Sequence, residues 1–303
     1  MDYLLDAFEP AFMQRALIGS LVAVVATSLV GTWVVIRGLA FLGDALAHGV
    51  IPGVALAVLW GFSPVVGAFV AALAMSGLVT VVSARTMVRE ETAIGLLFVG
   101  MLSLGIVIVS RARSFTTEVT ALLFGNVLGV TVGDIQTQLI ATTVVITATI
   151  VLYRPLLALT FNPTKAQTLG MRPGLAQAAL LALLALSIVA SFQAIGTLLV
   201  FGLLVGPPAT ASLLVRRVPL IMAVSITLGA VAVVSGLVVS FHHGTAGGAT
   251  VAGFSVLQFF IVMIARGFVE FTQRRRATEK LSGHRWGQSP PNGARDAARP
   301  RRL

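Results

Sequence analysis

The sequence predicts an all-α, polytopic integral membrane protein with eight or nine transmembrane helices. Hydrophobic residues make up 57% of its 303 residues and charged residues only 11%, whereas soluble domains typically carry about 25% charged residues. The mean hydropathy is +0.97, and the apolar residues occur in long runs that few polar side chains interrupt. This composition excludes a water-soluble domain, and it excludes intrinsic disorder everywhere except at the C-terminus.

The apolar runs set the number of spans. A helix needs about 20 apolar residues to cross a bilayer, and nine runs approach that length. The second run is short and glycines interrupt the fourth and the seventh, so eight spans is the alternative. None of the runs alternates with a period of two, which excludes an outer-membrane barrel. The predicted spans are about 14–36, 44–60, 63–83, 92–110, 134–153, 174–191, 194–214, 218–240 and 247–268.

Charged residues beside the runs predict the orientation. The acidic residues Asp2, Asp6 and Glu9 precede the first run, where a signal peptide would carry basic residues, so we expect this helix to be retained. With nine spans and an external N-terminus, the basic loop residues concentrate on the inside, in agreement with the positive-inside rule. The inside set is Arg37, Arg85, Arg89, Arg154, Lys165, Arg172, Arg216 and Arg217, and the outside set is Arg15, Arg111 and Arg113.

The C-terminal residues differ from the rest of the chain. Ten of the 21 Lys and Arg residues lie from Arg266 onward. Residues 273–303 are rich in Arg, Gly, Ser and Pro, so we expect a disordered cytoplasmic tail after a transmembrane domain at 1–272. Such a tail can contact anionic membrane lipid or serve only as a topology anchor, and the second interpretation is favoured.

Several function classes are excluded by what the sequence lacks. There is no cysteine, which excludes disulfides, Cys-ligated zinc and thiol catalysis. The two lysines, Lys165 and Lys280, do not follow a glycine, so there is no P-loop for a nucleotide. Outside the tail the net charge is small, which speaks against nucleic-acid binding. These absences speak against an intramembrane enzyme.

The first candidate site is the pair Asp44 and His48. A spacing of four places both side chains on one helical face, and an ionisable group inside a span is a functional candidate by default. A carboxylate and an imidazole one turn apart can ligate a divalent cation, or they can form a pair that only packs two helices. The residues alone leave both interpretations open. Pro52 and the glycines around the pair indicate a segment that can bend.

Two further groups of polar residues are weaker candidates. Glu118 lies between two spans, in a stretch too apolar for an exposed loop, which fits a re-entrant or pore-lining segment. His242 and His243 lie in the turn before the last span. Imidazole suits zinc and other first-row metals, so these histidines could capture a cation transiently, although adjacent residues rarely bind one ion together.

An inner loop at about 154–174 is long for a plain connector. Asn162 is suited to cap a helix, Pro163 to occupy its first position and Gly170 to end it. The sequence therefore predicts a short helix on the inner surface, and we interpret it as a docking element for a soluble partner.

Five segments of the chain resemble, in order, the metal-type ABC permeases, which import zinc, manganese or iron together with an ATPase and a binding protein. The resemblance spans roughly residues 12–268, and its first segment is highly specific. The segments begin at residues 37, 91, 123, 196 and 206 and read RGLAFLGDALAHGVIPGVA, ETAIGLLF, LFGNVLG, GTLLV and GPPATA.

This resemblance implies that Asp44 and His48 lie in the translocation path and contact the metal. Many relatives carry an Asp-x-x-His pair before the LFGN segment, where this chain has Glu118 and Ala121. The acid is thus kept as a possible ligand and the histidine is lost.

Relatives also carry Asp and Pro in the last external turn, where this chain has Gly244 and Ala246 beside His242 and His243. The expected metal ligands are therefore Asp44, His48 and Glu118, with His242 and His243 as further candidates.

The resemblance implies a transport subunit rather than an enzyme, with no permanently bound cofactor. It also implies partners. Pro163, Lys165 and Gly170 would belong to a coupling helix that docks on a cytoplasmic ATPase. The permease is expected to be a homodimer, and an extracellular metal-binding protein would deliver the ion.

The transported ion is expected to be divalent, with zinc favoured over manganese because imidazoles lie at the path and its entrance. The alternatives are an ATP-independent secondary transporter or channel and a membrane scaffold without transport.

Overall fold

The computed structural model describes residues 6–85, 89–111, 129–161 and 172–285. These residues form helices and turns and contain no strand, which confirms the predicted all-α class. The helices are α1 (Ala11–Ile36), α2 (Ala40–Gly49), α3 (Ile51–Trp60), α4 (Pro64–Arg85), α5 (Glu90–Arg111), α6 (Val132–Val151), α7 (Tyr153–Phe161), α8 (Pro173–Ile195), α9 (Thr197–Leu214), α10 (Val218–His243) and α11 (Gly247–Arg285).

Within the described residues, nine segments are long and apolar enough to cross a membrane. Eight of them are single helices, and the ninth, Ala40–Trp60, joins α2 to α3. The short second run of the sequence is therefore a full span that begins at Ala40 instead of residue 44. The nine-span form of the prediction fits the structure, and the eight-span alternative does not.

Helix α1 lies at the centre of the packing. It contacts α6, α8, α9 and α10, and its buried residues cover most of its circumference, leaving a partly exposed stripe through Ile18, Val25 and Leu29. A helix that is apolar on all sides and buried on most of them is typical of a central position. Its Trp33 is buried and meets Tyr153 of α7 edge to face, with ring centroids 5.7 Å apart.

Helices α3 and α4 touch through their backbones. A Cβ built on Gly53 would overlap the carbonyl oxygen of Gly67, and a Cβ built on Gly67 would overlap the carbonyl oxygen of Gly53. Small residues allow this approach between membrane helices, where burial of apolar surface supplies little driving force. The contact fixes the second half of the second span against the third span.

Helix α6 begins with a capping box. The N–H of Asp134 donates to Thr131 Oγ1 at 3.2 Å, and the N–H of Thr131 donates to Asp134 Oδ2 at 3.0 Å. Two helix-start N–H groups are satisfied in this way, and the helix begins at Val132, two residues before the predicted start.

Helix α7 is an element that the sequence analysis assigned to the inner loop. Leu156 and Leu159 are only 1% and 8% exposed, and α7 packs against α8. Pro155 stands in the first turn, where its missing N–H is tolerated. The short helix predicted between Pro163 and Gly170 lies outside the described residues.

Helix α11 continues to Arg285, beyond the boundary predicted at residue 272. The chain divides into two units, Met1–Phe260 and Ile261–Leu303. Within the described residues, the second unit consists of the C-terminal part of α11. Residues 286–303 lie outside the described residues, so most of the predicted tail stays a prediction.

We expect Gly67→Ala to lower thermal stability, because the added methyl group would overlap the backbone of Gly53 and force α3 away from α4. Overpacking of this kind costs about 1–3 kcal/mol. Gly77→Ala on the same helix is the matched control, since no heavy atom lies within 4 Å of its Cβ. Equal melting temperatures for the two variants would contradict the backbone contact.

Candidate metal site

The second span is interrupted at Val50, between α2 and α3. In a continuous helix the N–H of residue 52 would donate to the carbonyl of residue 48, but Pro52 has no N–H. The N–H of Val50 approaches the His48 carbonyl instead. The break thus changes the hydrogen bonding of the His48 carbonyl at the end of α2.

Asp44 and His48 lie one turn apart on α2. His48 Nδ1 is 3.1 Å from the carbonyl oxygen of Asp44 and 3.4 Å from its Oδ1. Both neighbours are acceptors, so Nδ1 carries the proton and the neutral ring keeps its lone pair on Nε2. A histidine that is held through one ring nitrogen is oriented to bind a metal through the other.

The pair is closed on one side and open on another. The His48 ring meets Phe98 of α5 edge to face, with centroids 6.0 Å apart, and Phe98 meets Phe41 at 5.9 Å. The side chains of His48 and Asp44 are nevertheless 33% and 32% exposed. One face of the pair is thus lined by aromatic rings, while part of the carboxylate and of the imidazole stays accessible.

Glycines bring the neighbouring helices close to both ends of the pair. A Cβ on Gly43 would lie 2.5 Å from Leu204 Cδ2 of α9, and a Cβ on Gly49 would overlap the sulfur of Met75 of α4. A larger side chain at either position would displace one of these neighbours. The sequence analysis noted the glycines, but their partners are distant in the chain and were not predicted.

The structure brings together two of the five predicted ligands. Within the described residues, no third His, Cys, Asp or Glu side chain joins a cluster of metal-ligand type. Glu118 lies outside the described residues, as does Ala121, so their roles stay predictions.

His242 and His243 occupy the last turn of α10. His242 Nδ1 lies 2.9 Å from the carbonyl oxygen of Val238, to which it donates in the neutral ring. Its ring meets Phe241 edge to face at 5.4 Å. These two histidines form no cluster with Asp44 and His48 in the described part of the chain.

The predicted coupling residues Pro163, Lys165 and Gly170 also lie outside the described residues. The helices on either side are described: α7 ends before this segment, and α8 begins at Pro173 after it. Helix α8 packs against α2, which carries Asp44 and His48.

A residue that the sequence analysis treated only as a topology marker makes a specific contact. The guanidinium of Arg37, at the end of α1, donates to the side-chain oxygen of Gln177 in α8. The partners are 140 residues apart in sequence, so no local pattern could have revealed the bond.

The donors at the break form a mixed set. The imidazole of His48 can supply a nitrogen and the carboxylate of Asp44 can supply oxygens. Such a set suits first-row divalent ions. It has fewer side-chain ligands than the closed four-ligand cage of a structural zinc site.

The sequence matches known transport proteins along most of its length. A model of the ABC 3 transport family matches residues 9–266. The manganese import system permease protein ScaB of Streptococcus parasanguinis is 35% identical over 277 residues, which cover 90% of this chain and 95% of that protein. A probable iron transport system membrane protein of Haemophilus influenzae is 30% identical over 266 residues, covering 87% and 97%.

A solved structure has the same arrangement of helices. A chain of PsaBC from Streptococcus pneumoniae in complex with Fab superposes with a TM-score of 0.76 at 30% identity, covering 86% of this chain and 94% of that one. The resemblance inferred from the sequence motifs is thereby confirmed. Family match, relatives and fold agree over nearly all of the membrane-spanning residues, and the chain belongs to the ABC 3 transport family, as the permease subunit of a metal ABC importer.

Proposed function

We propose that this permease carries manganese(II) into the cytoplasm and that Asp44 and His48 bind the ion on its way. The observation that carries the proposal is the geometry of the pair. Nδ1 of His48 is held by Asp44, so Nε2 is directed away from α2 as a ligand, and the carboxylate beside it is partly accessible.

A second copy of the chain completes the path in this proposal. About a third of each of the two side chains is exposed on the single chain, and a charged side chain within a bilayer faces protein or water rather than lipid. A homodimer with a water-filled path between its copies satisfies this requirement. The partner copy would then supply further ligands to the same ion.

Manganese replaces the zinc that the sequence analysis favoured. The relatives described above carry manganese and iron in their names, and they give no support to a zinc preference. The expectation of zinc came from the number of imidazole side chains among the candidate ligands. The Asp44 carboxylate is an oxygen donor, and carboxylate oxygens suit manganese.

ATP hydrolysis belongs to a separate cytoplasmic ATPase in this proposal, with the segment 163–171 docking on it. Helix α8 follows that segment and contacts α2. Gln177, near the start of α8, is bonded to Arg37, which stands three residues before α2. A displacement of the docking segment would thus be transmitted to α2, the helix that carries Asp44 and His48.

The remaining partners follow from the charge distribution. Asp6 and Glu9 are exposed before α1, which provides an acidic surface where an extracellular binding protein can release a cation. The basic residues predicted for the inner loops support a cell-membrane location, with residues 273–303 in the cytoplasm near anionic lipid.

Proteoliposomes that contain the permease, the ATPase and the binding protein should show ATP-dependent uptake of radioactive manganese. An excess of unlabelled manganese should compete better than an excess of zinc, because the Asp44 carboxylate favours manganese. Equal uptake without ATP would indicate a secondary transporter or channel, and stronger competition by zinc would contradict the assignment of the cargo.

Asp44→Asn and His48→Ala should each raise the manganese concentration for half-maximal uptake. We expect a change of about 10–100-fold, the range found when a partner of a metal ligand is removed. Asp44→Asn should be the more severe, because an ion that loses its water needs a compensating negative charge. Glu118→Gln tests the third predicted ligand in the same assay.

Asp134→Asn is the control for removal of a carboxylate, since Asp134 caps α6 and should leave the affinity for manganese unchanged. If Asp44→Asn instead lowers the melting temperature and leaves manganese uptake normal, the pair is a packing contact.

Gln177→Leu should uncouple transport from hydrolysis. A hydrogen bond to a charged group contributes about 1.5–3 kcal/mol, so we expect the manganese transported per ATP hydrolysed to fall by about tenfold while ATPase activity persists. Lys165→Glu, within the docking segment, should instead weaken co-purification with the ATPase. Gln136→Leu, at an exposed position of α6, is the control, and a loss of coupling as large in this variant would contradict the proposed route.

A further inference from the structure

Helix α9 contains two consecutive prolines, Pro207 and Pro208, within a span. Proline has no N–H, so the carbonyls of Leu203 and Leu204 lack the helical donors that residues 207 and 208 would otherwise provide. Lipid offers no replacement, and a freed carbonyl at membrane depth needs a partner from protein or enclosed water.

The prolines lie where α9 meets both α1 and α10. A Cβ built on Gly31 of α1 would overlap the carbonyl oxygen of Leu204 and would lie 3.1 Å from Pro208 Cγ. A Cβ built on Gly229 of α10 would lie 3.5 Å from Pro207 Cγ and 2.8 Å from Val24 Cγ1 of α1. The three helices therefore converge at the proline pair.

Two buried serines occupy the same junction. Ser28 lies on α1 between Val24 and Gly31, on the face that carries both contacts, and Ser225 lies one turn before Gly229 on α10. Both serines are 0% exposed. Their hydroxyl groups have no hydrogen-bond partner within the described residues.

The register of the helices sets the two serines opposite each other. Val24 contacts Gly229, and further along both helices Leu29 and Met222 line one cavity, so α1 and α10 run antiparallel. A step of one turn from the Val24 contact leads to Ser28 on α1 and to Ser225 on α10.

Neither serine is satisfied in the way that is usual in helices. Buried hydroxyls commonly donate to the carbonyl one turn earlier, as Thr27 does to Ala23 at 2.8 Å and Thr32 does to Ser28 at 2.7 Å. The hydroxyls of Ser28 and Ser225 form no such bond. They lie on the two helices that contact the proline pair.

We propose that the junction of α1, α9 and α10 is a binding site for buried water. A bound water needs two to four polar partners, and here the two serine hydroxyls and the freed carbonyls provide them. Water supplies the donors that the prolines remove. All four protein groups are neutral oxygens, so a cation at this depth would keep an uncompensated charge, which favours water over sodium.

The site does not include Asp44 or His48, but Leu204 connects the two places. Leu204 directs its carbonyl toward Gly31 of α1, while its side chain packs on Gly43, the neighbour of Asp44. Water between α9 and its neighbours supports the interrupted backbone at the level where α9 contacts the second span. The inference does not depend on which metal is carried.

Thermal unfolding of the purified full-length chain in lipid nanodiscs tests the proposal, because a bridging water and a dry junction predict different changes in melting temperature. If water bridges the serines, Ser28→Ala and Ser225→Ala each remove a water ligand, and the melting temperature should fall by about 2–4 °C. In a dry junction each substitution removes a hydroxyl that has no partner, so the melting temperature should stay unchanged or rise. Thr27→Val is the matched control, because Thr27 already bonds within its own helix.

The double variant separates a shared water from two independent effects. If one water cluster bridges both hydroxyls, the loss in Ser28→Ala/Ser225→Ala is smaller than the sum of the single losses. Additive losses, or single variants at least as stable as the parent, would overturn the proposal. A melting temperature that depends on sodium, compared with choline at equal ionic strength, would also overturn it by identifying a cation as the ligand.

Discussion

A lipid bilayer offers no hydrogen-bond partner to a peptide backbone, and this constraint determines where the chain departs from regular helix. An irregular backbone within a span is tolerated only where protein encloses it or water reaches it. In the described part of the chain, Pro52 and the pair Pro207 and Pro208 each remove helical hydrogen bonds within a span. Asp44 and His48 lie just before the first place, and two buried serines lie on the helices that contact the second. In both places the backbone irregularity coincides with polar side chains.

Close backbone approach keeps these irregular segments in position. Apolar side chains gain little by leaving lipid for a protein interior, so helix association in a membrane relies on packing and on small residues. Gly31 admits a carbonyl of α9, and Gly53 and Gly67 admit each other's carbonyls. Many large apolar side chains of α4, α5 and α11 are exposed instead, Leu96 by 73%, as expected for surfaces that face lipid. Stability therefore depends on a few close glycine contacts, and replacing these glycines with larger residues would remove the contacts.

The sequence predicted the features that local rules control. Bilayer thickness fixes the length of a span, so the apolar runs were sufficient to place the helices, and helical periodicity was sufficient to place Asp44 and His48 on one face. Contacts between distant segments could not be predicted in this way, as the bond from Arg37 to Gln177 illustrates. Helix α7 was missed for the same reason, because its burial depends on α8. The zinc preference found no support because it counted side-chain imidazoles and gave the Asp44 carboxylate too little weight, while Glu118 and the docking segment stay predictions.

The reciprocal contact of Gly53 with Gly67 has a mechanical consequence. Two backbones in such contact cannot slide past each other without collision, so α3 and α4 behave as one rigid block. Helix α2 meets α4 through the flexible side chain of Met75, and it is separated from α3 at Val50. A rotation at Val50 would move α2 relative to α3 and α4. The displacement of each residue of α2 would grow with its distance from Val50. The carboxylate of Asp44 would travel farther than the imidazole of His48, so the two groups would move by unequal amounts relative to α3 and α4.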